Sequence, residues 1–544
     1  MTRRASRGAR AARIARSGTA ALVLAAAGFG LVASGDAANL AARSVASWQL
    51  VPATDRAIGA ILSGFGAGGG IACAAATATL AATALLGRWY CAALCPLGTL
   101  QDLASLLGRG RRAYARPLHP LRAAVFVAVV ALAAAGAASL ASWVDPWSLF
   151  ARFSAYDLQS LLRLARSEDL PGLSAAAVAA SGAAVLAVLA ASFLSGRWFC
   201  GNLCPAGSAL GLLNAAAPLR VRLDGGSCVS CGACASVCRG SCIEAKEKRL
   251  DSTRCVNCLA CLSVCPTGAI RYGPRGRGEA AHRPARRSPV SRIGDDARGG
   301  GARGDGARGL TRAQFLAAAG GGIAALSSLA LPARAFAAGA EASAAPGQPV
   351  LPPGARSVDR FLGSCVACGL CVSRCPSKVL QPALGQLGVS GFLVPRLDHS
   401  VSYCQYDCTA CMDACPSGAL EKLALERKRV AKIGDATLAR TRCVVFTNGT
   451  KCGACAEHCP TGAVRMVAGE TGLPEPVFTS SICIGCGACH HACPVRPDRA
   501  ITVSGLALQT VAERPSPTLF DTPANGSEPR AAKAPPAADD SFPF

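Results

Sequence analysis

Six cysteine-dense runs constrain this chain more than any other feature. It has 544 residues and 30 cysteines. Four runs read C-x2-C-x2-C-x3-C: Cys228/Cys231/Cys234/Cys238, Cys255/Cys258/Cys261/Cys265, Cys365/Cys368/Cys371/Cys375 and Cys483/Cys486/Cys489/Cys493. Two are stretched variants, Cys404/Cys408/Cys411/Cys415 and Cys443/Cys452/Cys455/Cys459. Tetrads so compact are not the spacing of a disulfide scaffold. Zinc sites usually join one C-x2-C to a distant second pair. The runs match the bacterial ferredoxin pattern, in which three thiolates of a run hold one [4Fe-4S] cluster and the fourth ligates another. Six runs therefore predict six clusters and a protein that moves electrons. The segment Cys486-Gly487-Ala488-Cys489-His490 also fits a c-type haem attachment. It lies inside a ferredoxin run that needs both cysteines.

The formal net charge is +24 with cysteines counted as neutral. Twenty-four ligating thiolates add −24, and six cubane cores of about +2 each return about +12, which leaves a holo charge near +12. The remaining basic excess is local. Six arginines fall in the first sixteen residues, and eleven lie from Arg271 to Arg312. They flank apolar segments or sit in Gly/Pro-rich sequence, which fits membrane topology and a linker better than nucleic-acid binding. Mean hydropathy is +0.34 while aromatics make up 5%. Ala, Leu, Val and Gly carry the hydrophobicity, as in closely packed membrane helices.

Four stretches are long and apolar enough to span a membrane: Ser17–Ser34, Ala57–Leu86, Ala123–Ala141 and Ala175–Leu194. The first is read as retained rather than as a removed signal. The Arg-rich start places the N-terminus inside. The 87–122 loop sets six arginines against Asp102, and the 35–56 and 142–172 loops have no basic excess. Positive-inside bias then places residues 196–312 in the cytoplasm. None of the six histidines lies in an apolar span, so a bis-histidine membrane haem is not expected.

The membrane part, residues 1–220, is an internal repeat. Residues 87–98 read GRWYCAALCPLG and residues 196–207 read GRWFCGNLCPAG, an offset of 109. Both motifs follow an outside-to-inside helix, so the halves are parallel repeats about an axis along the membrane normal. Each carries C-x3-C-P: Cys91/Cys95 and Cys200/Cys204. One helical turn separates the thiols of a pair, and the proline is expected to end the helix. Two-fold packing would gather the four thiols at the inner membrane edge, as a cofactor-binding site for a further metal centre or as redox-active pairs. The plainer reading makes them packing and turn residues. Trp89 and Trp198 are candidate edges of a quinone pocket, or simply interfacial anchors.

Residues 221–272 read as a two-cluster ferredoxin module. The crossing rule assigns Cys228, Cys231, Cys234 and Cys265 to one cluster, and Cys255, Cys258, Cys261 and Cys238 to the other. Arg239 stands where proline usually follows the fourth cysteine, and Cys242 is a spare, either a substitute for Cys238 or idle. Residues 273–312 read as a disordered Arg/Gly/Pro-rich linker. Residues 313–337 read as a fifth, signal-anchor-like helix. Thr311-Arg312-Ala313-Gln314-Phe315-Leu316 resembles a twin-arginine export signal whose second arginine is Ala313. Residues 338–506 hold the four remaining runs, paired either as neighbours or nested, and residues 507–544 read as a disordered tail. The expected fold is thus an α-helical membrane domain of four helices in two parallel repeats, with α+β bacterial-ferredoxin-like [4Fe-4S] modules.

The two GRW(Y/F)C-x3-CP motifs, with two ferredoxin runs behind the fourth helix, resemble the NapH type of membrane polyferredoxin. They also resemble the C-terminal part of nitrous oxide reductase regulators, but no flavin-attachment domain precedes the first helix. The degenerate signal at 311–316 and the four later runs resemble the NapG and MauM type of exported four-cluster ferredoxin. The chain looks like the two partners fused. That resemblance implies a membrane partner that oxidises quinol, a quinol dehydrogenase component, and an exported partner that feeds a reductase outside. The expected function is a membrane conduit between a quinone pool or cytoplasmic donor and an extracytoplasmic acceptor. No P-loop, Rossmann glycine pattern or Ser/His/Asp arrangement competes. The rival reading is a redox-active assembly or regulatory factor for a metalloenzyme.

Overall fold

Where the long apolar stretches are described they are helical, as their Ala- and Leu-rich sequence favours. In a computed structural model of the chain, the residues described are 2–32, 36–47, 49, 69–108, 114, 118–134, 138–166, 173–274, 347–469 and 472–514. The helices that frame the site are α1 (Thr2–Val32), α2 (Asp36–Ser47), α3 (Gly69–Leu86), α4 (Pro96–Leu107), α5 (His119–Ala134), α6 (Pro146–Arg152), α7 (Ala175–Ser195) and α8 (Pro205–Ala216). Two of them are long and apolar enough to cross a membrane, over Ala11–Val32 and Ala175–Ser195. Ala74–Leu86 and His119–Leu132 are shorter apolar helices. The start of the expected second span, residues 57–68, lies outside the described residues, as do the 275–346 linker and signal-like segment.

Three local expectations need correcting. The 35–56 loop contains helix α2, which is well formed although neither long nor strongly apolar. Pro96 and Pro205 open helices as well as closing the turns before them. Each sits at the first position of α4 or α8, where its missing N–H costs nothing. Cys95 and Cys204 are the N-caps, and their sulfurs accept from Gly98 N at 3.4 Å and Gly207 N at 3.2 Å. Finally, the last strand runs on to Val511, past the expected tail boundary at 507.

The ferredoxin modules are built from short antiparallel pairs around the cysteine loops. In the two-cluster module β1 (Arg220–Leu223) pairs with β4 (Ile270–Gly273), and β2 (Ile243–Glu244) with β3 (Arg249–Leu250). In the C-terminal domain β5 (Leu380–Pro382) pairs with β6 (Pro395–Leu397), and β8 (Val464–Ala468) with β9 (Pro474–Phe478). There β7 (Ala431–Leu438) pairs with β10 (Ile501–Val511).

Residues 1–274 and 347–544 form one contact unit. Within it the two ferredoxin regions touch α1 at separate places, one in its N-terminal half and one near its C-terminal end. Arg13 donates to Ser263 Oγ at 3.4 Å, and Arg16 donates to Ala92 O at 3.2 Å. At the other end Arg374 donates to Gly30 O. Seventeen residues of helix separate Arg13 from Gly30, about 25 Å at 1.5 Å per residue. The loop after α5 also meets the C-terminal domain. Trp143 stacks on Phe392 with ring centroids 5.6 Å apart, and Ser139 donates to Ser390 O.

Candidate iron–sulfur sites

Four small cavities mark where the cysteine loops converge. One is lined by Cys228, Cys231, Cys234 and Cys265. A second is lined by Cys255, Cys258, Cys261 and Cys238, with Cys242 beside them. Each combines three cysteines of one run with the fourth of the other, the arrangement the crossing rule expects. The C-terminal domain follows the same logic. Cys404, Cys408 and Cys411 share a cavity with Cys375, and Cys443, Cys452 and Cys455 share one with Cys493. The pairing is therefore between neighbouring runs, not nested. The two remaining sets agree: Cys365, Cys368 and Cys371 face Cys415, while Cys483, Cys486 and Cys489 face Cys459.

The loops gain their shape from left-handed residues at tight positions. Gly232, Gly369 and Gly487 each follow the second cysteine of a run with φ of 76°, 76° and 82°. An added Cβ at Gly369 would meet the Tyr156 ring at 2.7–3.0 Å, so the helical region packs directly on that loop. Tyr156 is fully buried, and its hydroxyl has no hydrogen-bond partner among the described residues. His399 packs in the same way on Gly487. Burial and the nearby His490 hold His399 neutral, its pKa down to about 3. His490 is engaged through Nδ1 with Ile501 O at 2.6 Å.

The repeated C-x3-C-P motifs come together. Cys91, Cys95, Cys200 and Cys204 are all buried in one core cluster with Tyr90, Phe199 and Cys258. Burial pushes the Cys95 thiol up, and Cys200 and Cys91 push it further. Cys204 is pushed up the same way, by burial and then by Cys200, Cys91 and Cys95. The contacts between the two motifs are reciprocal. Arg88 donates to Cys200 O at 3.5 Å, and Arg197 donates to Cys91 O. Arg88 also lies 3.5 Å from Cys91 Sγ, and Gln101 donates to Cys200 Sγ at 3.3 Å. Gly87 and Gly196 start the two motifs with φ of 79° and 68°, a turn that a Cβ would strain.

Among the described residues, no three Cys, His, Asp or Glu side chains converge tightly enough for a single metal ion. A mononuclear thiolate site with metal–sulfur bonds of about 2.3 Å needs sulfurs only about 3.8 Å apart. The three-plus-one sets of cysteines around each cavity match the ligand pattern of a [4Fe-4S] cluster.

One feature that sequence reading missed is Asp102. It accepts from Arg197 Nε at 2.7 Å and Nη2 at 2.8 Å, and also from Arg239. Arg16 lies 3.9 Å away. Burial alone would raise its pKa, but Arg197, then Arg239 and Arg16, hold it below the usual carboxylate range. Arg239, which replaces the expected proline, is thus the two-cluster module's hand on the helical body. Its carbonyl also accepts from Arg197 N at 2.9 Å. Trp89 and Trp198 are only part-buried and line none of the four cavities.

The comparisons with known proteins agree with this chemistry. A family model described as "4Fe-4S binding domain" matches residues 69–113 and 178–223, the two halves that carry the C-x3-C-P motifs. A second model of that description matches 249–271, and "4Fe-4S dicluster domain" matches 448–496. The methylamine utilization ferredoxin-type protein MauM of Methylobacillus flagellatus is 34% identical over 169 residues, 29% of this chain and 70% of that protein. The ferredoxin-type protein NapG of Escherichia coli is 32% identical over 169 residues, 29% of this chain and 71% of its own length. The ferredoxin-type protein NapF of Escherichia coli is 30% identical over 151 residues, covering 27% and 80%. No solved structure matches. With cysteine loops paired three-plus-one and relatives covered over two thirds of their length, the chain belongs to the ferredoxin-type 4Fe-4S electron-transfer family.

Proposed function

We propose that this protein is a membrane-bound polyferredoxin. It carries electrons from quinol or a cytoplasmic donor to an extracytoplasmic reductase. The twenty-four cysteines of the six runs are its cluster ligands, each set of four drawn from two neighbouring runs. Each cluster, when bound, takes up and gives up one electron. The chain's own residues set spacing, burial and local charge, which tune cluster potentials.

The observation that carries this reading is the buried core that joins the two ferredoxin regions. It contains Cys258 of the two-cluster module, the four repeated thiols, Trp147 and Phe150, and Cys368 of the C-terminal domain. A cysteine-bearing route thus runs along the helical region from one module to the other. The modules contact α1 at points about 25 Å apart, close to the roughly 30 Å of a bilayer's hydrocarbon core. The Arg-rich end of α1 lies at the two-cluster module, which supports an inside position for that module and an outside position for the other. Cys91, Cys95, Cys200 and Cys204 would hold a further centre at the inner edge. Arg88 and Arg197 balance its negative charge, and both guanidinium groups are buried beside it.

Protease treatment of intact spheroplasts tests the arrangement. Cleavage beyond residue 347 with protection of residues 221–272 is expected. Protection of both regions until the membrane is broken would return all clusters to the cytoplasm, and the assembly-factor reading would then lead.

A further inference from the structure

The cavity of Cys255, Cys258 and Cys261 holds five cysteines where a cubane needs four. Cys238 and Cys242 both line it. The three other thiol-lined cavities are each lined by four. The Cys238 and Cys242 sulfurs are 3.5 Å apart, and Cys242 is 2% exposed.

The backbone places Cys242 there firmly. In the other five runs proline follows the fourth cysteine and sends the chain away: Pro266, Pro376, Pro416, Pro460 and Pro494. Here Arg239-Gly240-Ser241 follows instead. Ser241 takes a left-handed φ of 46°, and its N–H reaches back to Cys238 O at 3.3 Å. The turn is braced from outside. Arg254 donates to Ser241 O at 3.2 Å, and Asp251 N donates to Cys242 O at 2.9 Å. Strand β2 begins at the next residue and fixes the exit. Gly240 lies so close to Arg254 O that a Cβ would sit 3.0 Å from it, so the turn has no slack.

A metal–sulfur bond is about 2.3 Å long. Two sulfurs separated by 3.5 Å are close enough for either to serve one iron corner. We infer that Cys238 and Cys242 are interchangeable ligands to the same iron of this cluster, an inference that rests on the cluster reading above. In the exchange the Cys238–iron bond breaks and a Cys242–iron bond forms. The proton of the Cys242 thiol passes to the departing Cys238 sulfur. No electron moves, and the net charge of the site is unchanged. The exchangeable corner is the one beside Arg239, which ties the module to Asp102 of the helical body.

Iron content and low-temperature EPR of the reduced, purified full chain test this. Cys238→Ala and Cys242→Ala should each keep the wild-type iron count. Each should also sharpen the EPR signal of this cluster, because one ligation form is removed. The double variant should lose about four irons, one cluster's worth. Cys258→Ala should lose the same four on its own. If Cys238→Ala loses as much iron as Cys258→Ala, Cys242 is idle and the inference fails. If Cys242→Ala alone loses the cluster, Cys242 is the sole ligand and interchange is again wrong. Full iron in Cys258→Ala is a different result: it would sink the assignment of this cavity to a cluster.

Discussion

The two halves of the helical repeat share the frame of their thiol motifs and differ in how each holds the next module. Arg88, Cys91, Cys95 and Gly98 have their counterparts 109 residues on in Arg197, Cys200, Cys204 and Gly207, and the contacts between the motifs are reciprocal. One difference that matters to the packing is Asp102, whose counterpart is Gly211. In the first half the carboxylate pairs with Arg197 and Arg239. In the second half the missing side chain makes room. The Thr253 carbonyl and the Arg122 guanidinium occupy the space that a Cβ on Gly211 would need. Arg122 donates to Thr253 Oγ1 at 2.9 Å, and Arg88 donates to Thr253 O at 2.9 Å. Both halves therefore grip the same two-cluster module, one by charge and one by close backbone approach. What the repeat preserves is the thiol site; what it lets diverge is the clamp that holds the next cluster in reach.

The largest effect should come from breaking what the halves share. Cys91→Ala and Cys200→Ala should each abolish the same spectroscopic signal, because the proposed centre draws on both thiols. Two independent partial losses would mean two separate sites. Next come the clamps. Asp102→Ala leaves Arg197 buried without its carboxylate, and removing one partner of a buried pair costs about 3–5 kcal/mol. Limited proteolysis should report release of residues 221–272. Gly211→Ala should cost less, about 1–3 kcal/mol, since overpacking can be relieved in part by shifts of Arg122. Equal effects from the two would erase the distinction between the clamps.

The smallest effect is a pH dependence of one clamp only. The folded pKa of Asp102 lies below its ordinary value of 3.8 because Arg197, Arg239 and Arg16 outweigh the effect of burial. Its contribution is therefore present above that value and is lost as pH falls through the folded pKa. The stability gap between the natural chain and Asp102→Asn should stay constant above about pH 5 and shrink below about pH 4. The gap for Gly211→Ala should not change over that range. A gap for Asp102→Asn that grows on acidification would contradict the ion-pair account.

The cysteine spacing made the candidate cluster sites legible, and the crossing rule groups the cysteines of two sets as the cavities group them. Spacing left the choice between neighbouring and nested pairing open, since each run is locally alike. It took the shared cavities of Cys375 with Cys404 and of Cys493 with Cys443 to choose. The 109-residue repeat was plain in sequence, but the role of Asp102 was hidden. In a basic loop it counts as one stray negative charge, and only folding brings Arg239 to it from 137 positions away. The available signal was one of several breaks in the repeat, aspartate against glycine at matched positions. Helix α2 escaped for a different reason: it is short and only amphipathic, so no long apolar run announces it.

The account's central claim is that electrons pass through the four repeated thiols to the C-terminal clusters. Freeze-quench EPR of the full chain in proteoliposomes, mixed with a short-chain quinol, tests it most directly. The C-terminal clusters should become reduced in the natural chain and stay oxidised in Cys91→Ala/Cys200→Ala, while dithionite reduces them in both. Equal reduction by quinol in both chains would take the four thiols off the route.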